Sequence, residues 1–288
     1  MTDGATGKPR SELATRLIFG PSMLAVVAGI YWLDLEHTGG FASAAALALI
    51  ALGGVYEYIT MLRGVGSQVS SRMLLTFTGL LCGSALLFEG WKELDRELYP
   101  LAIATFLLLF PIAVRSLAAD RMKQGLEAQG ATLLGFVWIV WPMYLAQGMA
   151  IRHLPSLLFV ILVCKGGDIG GYFVGRALGR HKLIPHVSKG KTIEGSLGSL
   201  AASCVLAVVL RDALTPAAAA FSLTAAIGIG IMLNIGAQIG DLVESLLKRN
   251  CGVKDSSGLL PAHGGILDLI DSLLFPFPAY FLVLVAST

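Results

Sequence analysis

Apolar runs of about twenty residues recur along the whole 288-residue chain, and they leave few folds open. They lie near Leu13–Leu33, 41–62, 73–89, 99–117, 131–150, 154–175, 196–211, 217–240 and 264–286. A helix rises ~1.5 Å per residue, so each run approaches the ~30 Å hydrocarbon core of a bilayer. The composition agrees: 55% of residues are hydrophobic, only 14% are charged, and mean hydropathy is +0.75. A soluble chain of this length could not bury so much apolar surface. The expectation is an all-α, polytopic integral membrane protein with about nine transmembrane helices. The first run is too long for a signal-peptide core and lacks a small-residue cleavage site, so it reads as a retained helix.

Charge placement orients the layout. Of the 21 lysines and arginines, sixteen fall in segments that are cytoplasmic if the N-terminus is inside. Lys92, Arg96, Arg152 and Arg211 fall on the other side, and Lys165 lies within a run. That bias follows the positive-inside rule and places the N-terminus in the cytoplasm. The basic 176–195 loop and the polar 248–263 stretch then share the cytoplasmic side. Trp32, Trp91 and Tyr99, near run ends, read as interface anchors. Cys82, Cys164, Cys204 and Cys251 are scattered with no C-x-x-C pair, which argues against a disulfide framework and against a zinc site. No repeat or linker divides the chain, yet its chemistry is uneven. Residues 1–150 read as a transmembrane scaffold facing lipid, and 151–288 as the catalytic region.

The densest chemistry lies between Gln238 and Asp271. On a helix Asp241, Ser245 and Lys248 fall at i, i+4 and i+7 and share a face, as do Asp268 and Asp271 on the next. Two helices joined by a short polar loop can thus aim carboxylates, a hydroxyl and an ammonium at one point. Hard oxygen donors with nearby cations suit a metal–polyphosphate site. The run Ser245-Leu246-Leu247-Lys248-Arg249, then Lys254-Asp255, then His263-Gly264-Gly265-Ile266-Leu267-Asp268-Leu269-Ile270-Asp271 resembles the signature of phosphatidate cytidylyltransferases. Leu269 stands where that signature has arginine.

Two further motifs lie upstream. Lys165 and Asp168 sit inside an apolar run, where ionisable groups are expensive and usually mark a site. Gly167, Gly171 and Gly175, four apart, permit close helix packing. The family has a tryptophan at the position of Lys165 and a Gly-Arg matching Gly175-Arg176. Lys165 is expected to stand in for the missing arginine by reaching the same polyphosphate. Gly190-Lys191-Thr192 is not a P-loop, because Pro185 occupies the required glycine position and no strand precedes it. Ser188, Lys191, Thr192, Glu194 and Gly195 match the family's Ser-Pro-x-Lys-Thr-x-Glu-Gly, with Lys189 replacing proline. The plainer reading, a basic loop on anionic lipid, is worth ~1 kcal/mol per basic residue and is compatible with the first.

The resemblance implies an enzyme joining CTP and phosphatidate to give CDP-diacylglycerol and pyrophosphate, in the inner (cytoplasmic) membrane. It implies Asp241 and Asp268 as metal ligands for Mg²⁺, with room for a second monovalent or divalent cation, and Asp271 as a further ligand. Lys248 joins these in the catalytic group. His263 is open between a helix cap and a general base. Asp168, Lys191, Thr192, Glu194, Ser245, Arg249, Lys254 and Asp255 are expected on the substrates. Expected partners are CTP, phosphatidate and membrane lipids; no nucleic acid is expected, and a homodimer is an allowed assembly. The rival readings are a cytidylyltransferase for another lipid phosphate, and a transporter or non-catalytic lipid-binding relative.

Overall fold

The computed structural model describes Ser22 and residues 25–87, 98–116, 122–215, 221–260 and 264–287. Within these the chain is helical except for loops and one small hairpin. Helix α1 (25–33) passes into a π-helical turn, Asp34–Thr38. Then come α2 (Phe41–Gly64), α3 (Ser71–Leu87), α4 (Leu98–Ser116), α5 (Met122–Gly135) and α6 (Trp141–Leu178). A hairpin of β1 (Lys182–Ile184) and β2 (Ser188–Thr192) leads into α7 (Ile193–Leu214) and α8 (Leu223–Asn250). The short α9 (Ile266–Ile270), a 3-10 turn (Asp271–Leu273) and α10 (Pro276–Ser287) complete the chain.

Among the described residues five helical stretches, rather than nine, are long and apolar enough to cross a bilayer by themselves. The difference has local causes. The runs at 131–150 and 154–175 lie in one 54-residue helical stretch, Gly125–Leu178, made of two helices that meet at a kink between the runs. Its backbone breaks at His153 (φ −149°, ψ 76°), two residues before Pro155. Proline lacks the amide proton and clashes with the preceding turn, so the helix kinks there. The His153 ring nitrogen accepts the Ser156 amide at 3.2 Å and so caps the second half. The runs at 73–89 and 99–117 give the shorter apolar helices Ser71–Leu87 and Pro100–Val114. The first run lies mostly outside the described residues. The chain is a helical membrane protein.

Lipid is as apolar as leucine, so burial of methyl groups does not hold these helices together; close contact and buried polar bonds do. Asp34 supplies one such anchor, accepting the amides of Gly40, Ala42 and Ser43 at 3.1, 2.8 and 2.8 Å to cap α2. Gln147 of α6 donates to Ala44 O at 2.9 Å and to Cys82 O at 3.2 Å, tying α6 to α2 and α3. Small residues let α6, α7 and α8 approach. A Cβ on Gly167 would stand 2.2 Å from Ser203 Oγ and 3.0 Å from Asn234 Nδ2. A buried ladder runs through the same interface: Asn234 donates to Ser199 and Ser203 at 2.7 and 3.0 Å, and Ser203 donates to Val163 O at 3.0 Å.

The last apolar run, expected as one span over 264–286, is observed as the 22-residue span Ile266–Ser287, in which α9 passes through the 3-10 turn into α10. Pro276 and Pro278 cannot donate to a continuing ladder. Irregular backbone at this depth is tolerated only where protein or a polar cavity surrounds it. Here the turn lies against α8, where a Cβ on Gly240 would stand 2.1 Å from Asp271 O.

The hairpin and the C-terminal end of α8 meet, since Arg249 Nε donates to Val187 O at 3.4 Å. Arg211 lies at the far end of the 22-residue α7, ~30 Å away along the helix. In a cysteine-free background, cysteines placed at Lys189 and Asn250 should therefore react with an impermeant thiol reagent from the cytoplasmic side only. A cysteine at Arg211 should react from the other. Labelling of Lys189 and Arg211 positions from one side contradicts this arrangement.

Candidate active site

The polar faces of the second half of α6, the hairpin, α7, α8 and the broken helix enclose a cavity of about 590 Å³. Helix α6 lines it with Lys165, Asp168, Tyr172 and Arg176, and the hairpin with Lys191 and Thr192. Ser196 and Ser199 of α7, Gln238 and Asp241 of α8, and Asp268 and Asp271 complete the wall.

Asp241 is paired. Lys191 Nζ lies 2.8 Å from its Oδ2, and the Ser245 hydroxyl donates to its Oδ1 at 3.3 Å. Asp268 is engaged at both oxygens. Its Oδ1 takes Lys248, and its Oδ2 accepts the Ser256 amide, the Ser256 hydroxyl and the Gly265 amide at 2.8, 2.7 and 2.8 Å. Lys248 also ion-pairs with the fully buried Glu244 one turn earlier. Asp271 is buried, with Oδ1 on the Ser272 amide at 2.5 Å. It lies within electrostatic reach of Asp241 and Asp168.

Lys165 meets the position of its expected counterpart in an unforeseen way. Its ammonium donates to the carbonyl of Leu269 at 2.9 Å and to Ser272 Oγ at 2.8 Å, and stands 4.0 Å from Asp168 Oδ2. It therefore braces the turn between Asp268 and Asp271 rather than reaching freely into the cavity. Leu269 itself packs against the apolar core.

Other expected substrate residues have structural tasks. Thr192 lines the cavity and also caps α7, accepting the Gly195 amide at 3.1 Å. Glu194 does not line the cavity: its carboxylate accepts the amides of Arg180 and His181 at 3.1 and 3.3 Å and contacts the His181 ring at 2.6 Å. Arg249 bridges two loops through Val187 O and Val253 O, and Lys254 and Asp255 are exposed outside the cavity wall. His263 lies outside the described residues.

Sequence reading passed over Glu57 of α2, in the half read as scaffold. Its carboxylate is 4% exposed and accepts four bonds. These come from the hydroxyls of Ser256 and Ser257 at 2.9 and 2.6 Å and from the amides of Ile266 and Leu267 at 2.9 and 2.8 Å. Gly265 must be glycine here, because a Cβ would stand 2.0 Å from Ser256 Oγ and 2.4 Å from Glu57 Oε2. The available signal was a charge in the middle of an apolar run. Ser196, Ser199 and Tyr172 were also missed, being common helix residues without a charge.

The donor set fits a hard divalent cation in kind: Asp168, Asp241, Asp268 and Asp271 bring carboxylates from four elements to one cavity. As arranged, no three His, Cys, Asp or Glu groups among the described residues are close enough to hold an ion. Lys191 and Lys248 hold the two carboxylates first in line.

Because each Glu57 oxygen accepts two donors, an amide cannot replace it without setting NH₂ against N–H. Glu57→Gln should therefore be nearly as harmful as Glu57→Ala. We expect either to lower the unfolding midpoint in detergent by roughly 5–10 °C, as for removal of a buried charged acceptor. Unchanged midpoints in both variants would show that the anchor contributes nothing.

The model of the family described as "Cytidylyltransferase family" matches residues 14–287. A phosphatidate cytidylyltransferase of Staphylococcus saprophyticus is 43% identical over 264 residues, covering 92% of this chain and 98% of the relative. One of Bacillus subtilis is 43% identical over 136 residues, 46% of this chain and 49% of the relative. The uncharacterized protein YnbB of Escherichia coli is 35% identical over 191 residues, 61% of this chain and 62% of that protein. The match to these last two thus spans only about half to two thirds of their lengths. A family match over 14–287, enclosing every element of the cavity wall, means that this chain belongs to the cytidylyltransferase family.

Proposed function

We propose that the chain transfers the cytidylyl group of CTP to phosphatidate, giving CDP-diacylglycerol and pyrophosphate, at the cytoplasmic face of the inner membrane. One observation carries the reading: a single cavity is lined by carboxylates from four elements, two of which, Asp241 and Asp268, are ion-paired to lysines. Family membership and relatives named as phosphatidate cytidylyltransferases support it.

In the reaction a phosphatidate oxygen forms a bond to the α-phosphorus of CTP while the bond from that phosphorus to the bridging oxygen breaks, releasing pyrophosphate. Two polyanions must meet, so charge stabilisation dominates. Mg²⁺ supplies Lewis-acid neutralisation of the phosphate oxygens when bound. Asp241 and Asp268 would hold it, with Asp271 as a further ligand. Lys191 and Lys248, ion-paired to those aspartates, are the cations that would meet phosphate oxygens. Asp268 Oδ2, on Ser256 and Gly265, keeps the loop in place, so Oδ1 is the oxygen that would be available to a cation. Ser245 holds Asp241 in orientation rather than lining the cavity.

Purified protein with CTP, phosphatidate and Mg²⁺ should release pyrophosphate and form CDP-lipid, and EDTA should stop both. Asp241→Asn should lower turnover by at least ~100-fold with the fold intact. Asp268→Asn should do the same and also lower the unfolding midpoint, since it serves the loop as well. Turnover in EDTA, or near-normal rates in both variants, would contradict the assignment.

A further inference from the structure

We propose that Arg176, oriented by Tyr172, receives the phosphomonoester headgroup of the lipid substrate, apart from the carboxylate–lysine cluster that handles the nucleotide. The inference rests on the cytidylyltransferase reading and assigns a subsite within it.

Three cations line the cavity, and two of them are committed. Lys165 is spent on Leu269 O and Ser272 Oγ, and Lys191 on Asp241. Arg176 differs. Among the described residues no carboxylate lies within ion-pairing distance of it, and its one bond runs from Nη1 to the Tyr172 hydroxyl at 3.0 Å. A guanidinium has five N–H donors in a planar fork, so most of its capacity is open to a phosphate, which it can grip bidentately. The phenol takes up one donor.

Position supports the same assignment. Asp168, Tyr172 and Arg176 fall at i, i+4 and i+8, a polar stripe along the cavity wall. Arg176 is in the last turn of α6, ~12 Å along the helix from Asp168 and so at the shallow end. Beside this stripe, on one side of the helix, lie Ile169 and Phe173, which are 59 and 64% exposed. On a membrane helix such a face meets acyl chains. A two-chain lipid lying along it carries its headgroup into the cavity beside Arg176. A cation that merely snorkelled to bulk headgroups would need neither the cavity wall nor the phenol. Separate cations for lipid and nucleotide also keep the two polyanions from competing for Lys191 and Lys248.

The test is binding, with the full-length protein in phosphatidylcholine nanodiscs. Affinity for phosphatidate bearing a fluorescent acyl chain is measured without nucleotide, and affinity for radiolabelled CTP with Mg²⁺ is measured separately. Arg176→Gln should weaken phosphatidate binding by about tenfold or more, Arg176→Lys by less, and Tyr172→Phe by about threefold. CTP affinity should stay within about twofold of wild type in all three, which also reports that the site remains folded. Parallel loss of CTP affinity would place Arg176 on the nucleotide, and unchanged lipid affinity would leave it a solvated cation; either overturns the proposal. Displacement of the labelled lipid by glycerol 3-phosphate or inorganic phosphate at equal concentration would show a bare-phosphate site and overturn the lipid assignment. A wild type that binds phosphatidate through Arg176 yet forms no CDP-lipid would refute the proposed reaction and leave this subsite standing.

Discussion

Two carboxylates from opposite halves of the chain hold the segment between α8 and α9, and the rest of the site depends on that hold. Glu57 takes two serine hydroxyls and the first two amides of α9; Asp268 takes Ser256 and Gly265. These bonds satisfy backbone donors that a helix start would otherwise leave open in a low-dielectric environment, where an unmade bond costs about 1–3 kcal/mol. They also fix where α9 begins, and therefore where Asp268 and Asp271 stand. Lys165 braces the other end of the same turn from α6. The scaffold half of the chain is thus a working part of the site, because α2 supplies the anchor.

The second constraint is charge. Several unpaired carboxylates on one partly buried cavity wall would be costly, and Asp241 and Asp268 are each matched to a lysine. This gives the lysines two tasks. They make the buried carboxylates tolerable in the folded protein, and in the proposed reaction they are the cations that would meet phosphate. The same pairing explains why the described groups do not form a ready cation cage.

Much of this was legible in the chain. Apolar run lengths read out the helical membrane class, and the spacing of Asp241, Ser245, Lys248, Asp268 and Asp271 marked the two elements that meet. The glycines at 167, 171 and 175 foretold close packing, which the contacts of Gly167 and Gly171 with Ser203, Ser199 and Gly195 bear out. What remained hidden was long-range. Run length alone could not show that the last span begins with a short helix and a 3-10 turn. Glu57 lies some two hundred residues from its partners, and no local pattern connects a lone glutamate in α2 with a loop before α9. Motif matching also treats all its members alike, whereas the structure divides them. Asp241, Asp268 and Lys191 line the cavity, while Glu194 and Arg249 tie loops.

The claim that the lysines mask a cation site is tested most directly without nucleotide or turnover. Mn²⁺ binding to the detergent-purified protein, read by the loss of the free-ion electron paramagnetic resonance signal, should be weak in wild type. Lys191→Met should tighten it by about tenfold, because Asp241 loses its competing cation, and adding Asp241→Asn to that variant should abolish the gain. Unchanged or weaker Mn²⁺ binding in Lys191→Met would contradict the account, since the lysine would then be no competitor for the carboxylate it holds.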